Sequence, residues 1–178
     1  MAVEPAESHA TNLPRAALRP FRQTDAPLVA SWIGPDEAYW LAPRSRAPLT
    51  VETVLAWGQA EGQRFVLVTP DAVPVAYGEV NRLNFSPRTS WLGHLVVAPT
   101  QRRRGFGQRL ARSLIDHAFD TGVARRVTLV VFPENAAAIA CYRAVGMRAD
   151  GFETHFFPHY RRRVRLLRLA ISAAAQHH

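Results

Sequence analysis

The stretch from Trp91 to Gly122 constrains the fold of this chain more than any other. Its first part, through Val97, is apolar and β-branched, and Pro99 ends it because proline has no backbone N–H to donate. From Gly105 onward, apolar residues recur at helical spacing, which predicts an amphipathic helix that ends at Gly122. These apolar residues are Phe106, Leu110, Ala111, Leu114, Ile115, Ala118 and Phe119. The stretch therefore predicts a strand, a turn and a helix in succession.

The turn between this strand and this helix is suited to bind a diphosphate. A helix start leaves about four backbone N–H groups unpaired and carries roughly half a positive charge. Gly105 and Gly107 let a phosphate approach the backbone, because neither carries a Cβ. Arg102, Arg103 and Arg104 would ordinarily form a solvated face, but at a helix start they can contact phosphate. Dinucleotide-fold and P-loop motifs are excluded, because a third glycine and a Gly-Lys-Ser/Thr sequence are both missing.

A second motif further along the chain gives the first one a family context. The segment Asn135 to Met147 contains Tyr142 and predicts a helix that is ended by a glycine. Preceded by Arg102-x-x-Gly105-x-Gly107, this segment resembles the second of two ordered motifs of the GNAT N-acetyltransferase superfamily. The resemblance extends from Ala17 to Ile171.

That resemblance implies acetyl-CoA as the co-substrate, with no metal. In the family, the first motif holds the diphosphate, and pantetheine hydrogen-bonds the main chain of the strand, here Leu95 to Val97, where two parallel strands splay apart. Asn135 can cap its own helix and also bind a pantetheine amide, while Arg143 either reaches the diphosphate or flanks the helix. The cofactor-binding residues so predicted are Leu95, Val96, Val97, Arg102, Arg103, Arg104, Gly105, Phe106, Gly107, Gln108, Asn135 and Arg143.

Acetyl transfer to an amine requires a donor for the leaving thiolate and stabilisation of the thioester oxygen. The resemblance assigns Tyr142 as the general acid, and the alternative is an interior tyrosine that packs the helix on the sheet. Backbone N–H groups of Leu95 and Val96 are candidates for the oxyanion, because fixed donors in a dry cleft are usually the largest contribution.

Two residues are candidate general bases. Glu79 is a lone carboxylate in an apolar strand, which either faces the acceptor site or pairs with Arg82 or another surface arginine. An imidazole can take a proton near neutral pH. Yet strand alternation places His94 on the same face as Leu92 and Val96, so the alternative is that His94 points into a packed layer and not toward the acceptor.

One departure from the family bears on the reaction. Many relatives carry a glutamate base where this chain has Trp91. A catalytically silent acyl-CoA-binding regulatory module therefore remains the alternative to an enzyme.

The whole pattern predicts an α/β (α+β) fold: a mixed, mostly antiparallel sheet of about six to seven strands with helices on both faces. The expected strands are residues 17–22, 64–69, 73–85, 91–97, 127–132, 147–157 and 160–171. A turn is expected over Asn84 to Thr89, and another around Pro158. The arginines of the last segment do not alternate cleanly with apolar residues, so an amphipathic helix remains open there.

Two helices are expected before the second strand. Thr24 or Asp25 caps the first, which Gly34 closes, and Thr50 caps the second, which ends near Ala60. The residues expected to face inward are Leu28, Val29, Trp32 and Ile33 in the first helix and Val51, Val54 and Leu55 in the second.

The segment between these two helices, Pro35 to Leu49, has no sustained period. It is predicted to be a loop that borders the acceptor site, since aromatic and charged groups on loops commonly face ligands. Trp40 within it either faces that site or plugs the edge of the core.

Composition agrees with one enzyme domain. A chain of 178 residues with 48% hydrophobic residues predicts a single domain at 15–172, after a disordered tail at 1–14 and before a flexible tail at 173–178. No apolar run reaches the roughly 18 residues of a membrane span, and the first residues are unlike a signal peptide. Cys141 is the single cysteine, so a plain thiol in a reducing cytoplasm is expected.

The charge of the chain favours anionic ligands. The formal net charge is +8, and all 22 basic residues are arginine. The arginines between 161 and 168 raise nucleic-acid binding as an alternative, but no aromatic-interleaved motif or recognition helix accompanies them. The prediction is therefore an acetyl-CoA-dependent N-acetyltransferase acting on a small-molecule amine or a peptide N-terminus, with no nucleic-acid or membrane partner. The resemblance also suggests that the protein forms a homodimer through its last strand.

Overall fold

A computed structural model describes residues 13–58, 62–83, 85–122 and 124–173. The strands in these ranges are β1 Ala17–Pro20, β2 Gln63–Val68, β3 Pro74–Arg82, β4 Thr89–Val97, β5 Arg126–Val131, β6 Arg148–Phe157 and β7 Arg162–Ser172. The α-helices are α1 Ala26–Ser31, α2 Pro35–Leu41, α3 Val51–Ala56, α4 Phe106–Asp120 and α5 Ala136–Ala144. Residues 1–12 and 174–178 of the predicted tails lie outside the described residues, as do Ala60 and Asn84.

All seven strands form one sheet in the order β1-β2-β3-β4-β5-β7-β6. β4 and β5 run parallel, and every other neighbouring pair is antiparallel. One core contains Leu110 and Leu114 of α4, and a second core contains Val29 of α1, Val54 of α3 and Tyr77 of β3. The expected mixed, mostly antiparallel sheet with helices on both faces is thereby confirmed.

β4 and β5 separate along their length. Their last paired residues are Trp91 and Thr128, although β4 continues to Val97 and β5 to Val131. The edge of β4 beyond Trp91 therefore lacks β5 as a pairing partner and opens into a cleft. This is the splay that the family resemblance implies.

The turn before α4 uses its first glycine for backbone conformation. Gly105 is the N-cap residue of α4 and has a φ of +83°. A residue with a Cβ pays roughly 1–2 kcal/mol in the left-handed region, so glycine suits this position. The predicted inward residues of α4 are buried as far as Ala118, Phe119 is partly buried, and Gly122 follows the C-cap with a φ of +67°.

The prediction of a loop over Pro35 to Leu49 is wrong for its first half, where α2 forms. Gly34 is the N-cap residue, Pro35 stands in the first turn, and Asp36 and Glu37 place negative charge at the positive end of the helix. These are helix-start signals, but α2 has only seven residues, too few to show a period.

Two residues predicted to face inward are exposed instead. Leu28 of α1 is 41% exposed and Leu55 of α3 is 39% exposed. Both helices have six residues, so each buries only a narrow stripe, represented by Val29 in α1 and Val54 in α3. Trp32 and Ile33 are buried as expected, although they follow the end of α1.

The last segment of the domain, for which the sequence left a strand or an amphipathic helix open, is a strand. β7 pairs with β5 on one side and with β6 on the other, so its backbone groups are bonded along both edges. A one-turn 3-10 helix at Pro158–Tyr160 joins β6 to β7, as the expected turn around Pro158 requires.

Candidate active site

The split between β4 and β5 opens into a cleft of about 530 Å³, called here the β4–β5 cleft. Nine of the predicted cofactor-binding residues line it: Leu95, Val96, Val97, Arg102, Arg103, Gly105, Gly107, Gln108 and Asn135. Cys141 and Tyr142 of α5 also belong to its lining. The two motifs recognised in the sequence therefore meet across one cleft.

Three predicted cofactor-binding residues are not part of this lining. The Phe106 side chain is buried in the core, while Arg143 is exposed on α5. Arg104 donates to Gln101 Oε1 at 2.7 Å, and its guanidinium lies 6.0 Å from the centre of the Phe106 ring. Because Phe106 begins α4, its backbone N–H still belongs to the unpaired first turn while its ring packs in the core.

Gly107 allows α4 to lie close to its neighbours. A Cβ at this position would lie 3.3 Å from Cys141 Sγ and 3.7 Å from Val97 Cγ2. A large side chain would therefore have to project into the β4–β5 cleft or push α5 away. Burial raises the pKa of the Cys141 thiol to about 11, so this partly buried thiol is protonated at neutral pH.

Arg102 binds protein groups at the mouth of the β4–β5 cleft. Its Nη1 donates to Glu37 Oε1 at 2.6 Å, and its other nitrogens donate to the carbonyl oxygens of Trp32 and Val97 at 3.3 Å. The hydrogen bond from Arg102 is the main reason why the pKa of Glu37 lies below its usual value. Arg102 thus ties α2 to the end of β4. The sequence pattern gave no indication of Glu37, because α2 itself was not predicted.

Asn135 caps α5 as predicted. Its Oδ1 accepts a hydrogen bond from the backbone N–H of Ala138 at 3.2 Å. The cap fixes the start of the helix that carries Tyr142, whose partly buried ring packs against the core. Burial and the neighbouring Cys141 raise the pKa of Tyr142, so its phenol is a hydrogen-bond donor at neutral pH.

Glu79 is fully buried on β3 and forms three side-chain hydrogen bonds. Its Oε1 lies 2.8 Å from Tyr77 Oη and 2.9 Å from His94 Nδ1, and its Oε2 accepts from Asn81 Nδ2 at 3.0 Å. Burial by itself raises the pKa of Glu79, but the bonds from His94, Asn81 and Tyr77 outweigh burial and hold it below its usual value. Glu79 is therefore an ionised carboxylate, and it forms an ion pair with His94 whenever that imidazole carries a second proton.

A β-bulge directs His94 to this carboxylate. Val96 pairs with Tyr77 and Gly93 with Glu79, so two β4 residues, His94 and Leu95, lie opposite one β3 residue. His94 itself has a φ of +45°, in the left-handed region.

The expected grouping of His94 with both Leu92 and Val96 is wrong because of this bulge. Leu92 packs in the core under α4, whereas Val96 packs in the other core with Tyr77. The His94 ring stacks on Trp57, with ring centres 4.2 Å apart and planes 2° from parallel.

A second cavity of about 740 Å³ lies next to the β4–β5 cleft. His94 and Trp40 line both, together with Leu41, Leu92, Leu129 and Val130. Trp40 also packs edge-to-face on Phe132, with ring centres 4.9 Å apart, and it is 42% exposed, so it borders both cavities and does not plug the edge of the core. His94 therefore lies where the two cavities meet, and Glu79 is buried behind it.

Charged residues of the closing hairpin, which sequence analysis did not single out as a group, line the second cavity. They are Asp150, Glu153, His155 and Arg168, joined by Arg126 of β5 and by Arg44 from the segment after α2. The signal that could have identified them is their grouping on two strands that pair with each other.

The described residues contain neither a helix that could span a membrane nor a cluster of metal-binding side chains. In ranges 13–58, 62–83, 85–122 and 124–173, no helix is long and apolar enough to cross a membrane. Within the same ranges, His, Cys, Asp and Glu side chains form no group of three or more that could hold a metal ion.

The split sheet, the glycine-bearing turn at a helix start and the two adjoining cavities together define an acyltransferase cleft. Comparison with known families agrees: the family model described as Acetyltransferase (GNAT) family matches residues 28–147. The chain belongs to the GNAT acetyltransferase family. Membership confirms the predicted class of acyltransferase.

Individual proteins extend this comparison. The chain is 37% identical over 84 residues to the N-alpha-acetyltransferase RimI of Mycobacterium tuberculosis, a match that covers 47% of this chain and 51% of that protein. The curated relatives that it matches are covered over 23% to 51% of their own length.

Solved structures match over most of their length. A spermidine N-acetyltransferase from Vibrio cholerae, in complex with CoA and spermine, has a TM-score of 0.74 at 17% identity over 89% of this chain and 95% of that one. A GNAT-family acetyltransferase from Bacillus anthracis has a TM-score of 0.74 at 20% identity over 90% and 96% of the two chains. At these identities the two structures show that the fold is shared.

Proposed function

We propose that this protein is an N-acetyltransferase that transfers the acetyl group of acetyl-CoA to a primary amine. The acceptor is a small molecule or a peptide N-terminus, which attacks the thioester directly. The observation that carries the proposal is His94, which lies where the β4–β5 cleft meets the second cavity and is held from behind by the buried Glu79. The names of the relatives support it, since one is an N-alpha-acetyltransferase and another binds CoA and spermine.

The β4–β5 cleft suits a long anionic thioester, which would supply the activated acetyl group. The unpaired N–H groups of the first turn of α4 and the Arg103 guanidinium would bind the diphosphate. The main chain of β4 from Leu95 to Val97, which has left its pairing with β5, would hydrogen-bond the pantetheine amides. Gln108 and Asn135 are the further contacts proposed from the lining.

The Glu79–His94 pair would handle the proton of the amine. Because Glu79 is an ionised carboxylate, it must accept from Nδ1–H of His94, so in the neutral imidazole Nε2 is the nitrogen that can accept the proton of the amine. His94 is thus the proposed general base and Glu79 the residue that positions it. Relatives with a glutamate at position 91 would present the carboxylate from β4, whereas this chain presents Glu79 from β3.

Other groups of the β4–β5 cleft would stabilise the negative charge that develops on the thioester oxygen and on the leaving sulfur. The backbone N–H groups of Leu95 and Val96, next to the bulge, are the proposed donors to the thioester oxygen. Tyr142, whose phenol is protonated at neutral pH, is the proposed donor to the leaving sulfur.

The proposal extends to the compartment, the domain organisation and the oligomeric state of the protein. Cys141 has no second cysteine to pair with, which supports a reducing, cytoplasmic environment. Residues 15–172 would form a single domain. Homodimerisation through the last strand, β7, does not fit the sheet because both its edges are paired, so a homodimer would use the edge strand β6 of the closing hairpin.

Two measurements test the proposed function. Calorimetric titration with acetyl-CoA should give micromolar affinity, which Gly107→Trp should abolish because the indole, set between Cys141 and Val97, would enter the β4–β5 cleft or displace α5. Asp116→Trp, at an exposed position on the same helix, is the matched control and should bind normally. Thiol release should then appear when primary amines are added. Lack of acetyl-CoA binding by the wild-type protein would refute the proposal.

A further inference from the structure

A row of charged side chains crosses the second cavity. Arg168 donates to Asp150 Oδ2 at 2.8 Å and to Glu153 Oε1 at 3.2 Å, and Arg126 also binds Asp150 Oδ2. The bond from Arg126 is the main reason why the pKa of Asp150 is lowered, so this carboxylate stays ionised. Both carboxylates of the row are therefore already bound to guanidinium groups.

Arg44 lies at the end of this row, and its neighbour there, His155, carries no negative charge that would balance its guanidinium. Its Nη2 lies 2.9 Å from His155 Nδ1, and since a guanidinium can only donate, Nδ1 must accept. His155 is then a neutral imidazole whose Nε2–H donates to Glu153 Oε2 at 2.9 Å. Within the described residues, the other contact of the Arg44 guanidinium is the Phe157 ring, 6.0 Å from its centre.

The lining of the second cavity thus contains three guanidinium groups but only two carboxylates. A cationic group on an acceptor would meet carboxylates that are already paired, together with an excess positive charge. An anionic group would meet Arg44, which is exposed and has further N–H donors in the fork geometry that suits carboxylate and phosphate. The rest of the lining includes the apolar side chains of Trp40, Trp91 and Phe132.

We infer that the acceptor is an amine that also carries an anionic group, a carboxylate or a phosphate, which binds Arg44 while its amine lies at His94. This inference rests on the proposed function and specifies its acceptor. An apolar linker between the two groups would pass along the aromatic side chains of the cavity. Amines whose second group is neutral or cationic should bind more weakly.

The test compares amines that differ only at the far end. γ-Aminobutyrate, γ-aminobutyramide, putrescine and γ-aminopropylphosphonate, each with a shorter and a longer homologue, are titrated calorimetrically into the protein with and without CoA. Triglycine and its carboxyl-terminal amide represent peptides. At the best length, the anionic amine should bind about tenfold or more tightly than its amide, as one charge-assisted contact implies. The carboxylate and phosphonate arms distinguish the two kinds of anion.

Variants of Arg44 then assign the preference to this side chain. Arg44→Gln should bring the anionic amine and its amide to similar affinity, and Arg44→Glu should reverse the order in favour of putrescine. Arg46→Gln, two residues further on and exposed outside the cavity lining, should retain the wild-type preference. Equal or tighter binding of the amide or the diamine by the wild-type protein, at every length, would overturn the inference.

Thiol release from acetyl-CoA is measured with the same compounds. Selective binding of the anionic amines without any thiol release would contradict the proposed acetyl transfer and leave the charge preference standing. Thiol release that is as fast with putrescine or the amide as with the anionic amine would contradict the charge preference alone.

Discussion

The imidazole of His94 lies between a buried carboxylate and an indole ring. Nδ1 is 2.9 Å from Glu79 Oε1, and the ring stacks on Trp57. These two contacts fix both the orientation of the ring and the nitrogen that carries the proton, which a proposed general base requires. The His94 side chain is still 21% exposed, so one side of it remains open to the cavities.

The first prediction concerns this residue. His94→Gln should lower kcat by roughly 10²–10⁴-fold, the usual contribution of a general base, and leave acetyl-CoA affinity nearly unchanged. Steady-state thiol release and calorimetry measure the two effects. His117→Gln is the control, because His117 also bonds a side chain, Gln63, but lies outside both cavities. A kcat for His94→Gln equal to that of the control would remove His94 from its role.

Tyr142 gives a second prediction. Tyr142→Phe removes only the phenolic oxygen, so packing of α5 on the core should persist. We expect kcat to fall by roughly 10²-fold or more while acetyl-CoA affinity stays within a few-fold, because the lost interaction is made only as the thiolate leaves. The measurement is thiol release at saturating acetyl-CoA. Full turnover in the variant would show that Tyr142 packs α5 and does not act as the acid.

The sequence identified both members of the Glu79–His94 pair but not their contact. Glu79 stood out because a lone carboxylate in an apolar strand needs a partner. The partner was not predictable, because simple alternation groups His94 with Leu92, and a bulge that changes this alternation has no marker in the local sequence. Gly105 and Gly107 were easier to assign to the turn before α4, because their spacing after the strand and before the helical period identifies that turn.

Elements differ in how well their patterns predicted them. α4 spans fifteen residues and shows a clear helical period, so its inward face was predictable almost residue by residue. α2 was missed because seven residues show no period, and its contact with Arg102 through Glu37 spans 65 residues of chain. The charged row of the second cavity likewise depends on the register of β6 with β7, which the sequence does not state.

The junction of β1 and α1 supplies a prediction about stability and pH. Asp25 accepts two hydrogen bonds from Arg19, both 2.8 Å, and one from the backbone N–H of Arg22. The bond from Arg19 is the main reason why the pKa of Asp25 is lowered. Asp25→Asn should therefore cost about 1–3 kcal/mol in free energy of unfolding near pH 7.

The pH dependence of this difference follows from the direction of the shift. A lowered pKa in the folded state gives stability that is complete above the unfolded pKa, about 3.9, and is lost as the pH falls through the folded value. Urea unfolding at pH 7 and at pH 3 should show the gap between wild type and Asp25→Asn narrowing at the lower pH. Asp71→Asn, an exposed turn residue, is the control. A gap of constant size at both pH values would contradict the ion pair as its source.

The whole molecule carries a formal charge of +8, contributed by arginine without lysine. Such a charge attracts a polyanion over distances that depend on salt. The association rate of acetyl-CoA should fall roughly tenfold between low and high ionic strength, measured by stopped-flow fluorescence. Acetyl-pantetheine, which lacks the phosphates, should show almost no such dependence. An equal response of the two compounds would mean that the net charge does not steer the cofactor.

Because of the bulge at His94, the faces on which the site residues of β4 lie depend on the number of residues in that strand. The bulge consists of one extra residue in β4, and a strand without it would alternate regularly along its whole length. Deletion of a single residue there would move each side chain beyond it to the opposite face of the sheet. Leu95 and Val97, which pack under α4, would exchange faces with Val96. Within a lineage, substitutions can therefore accumulate along β4 more readily than insertions or deletions, and homologues that differ in strand length here should differ in chemistry.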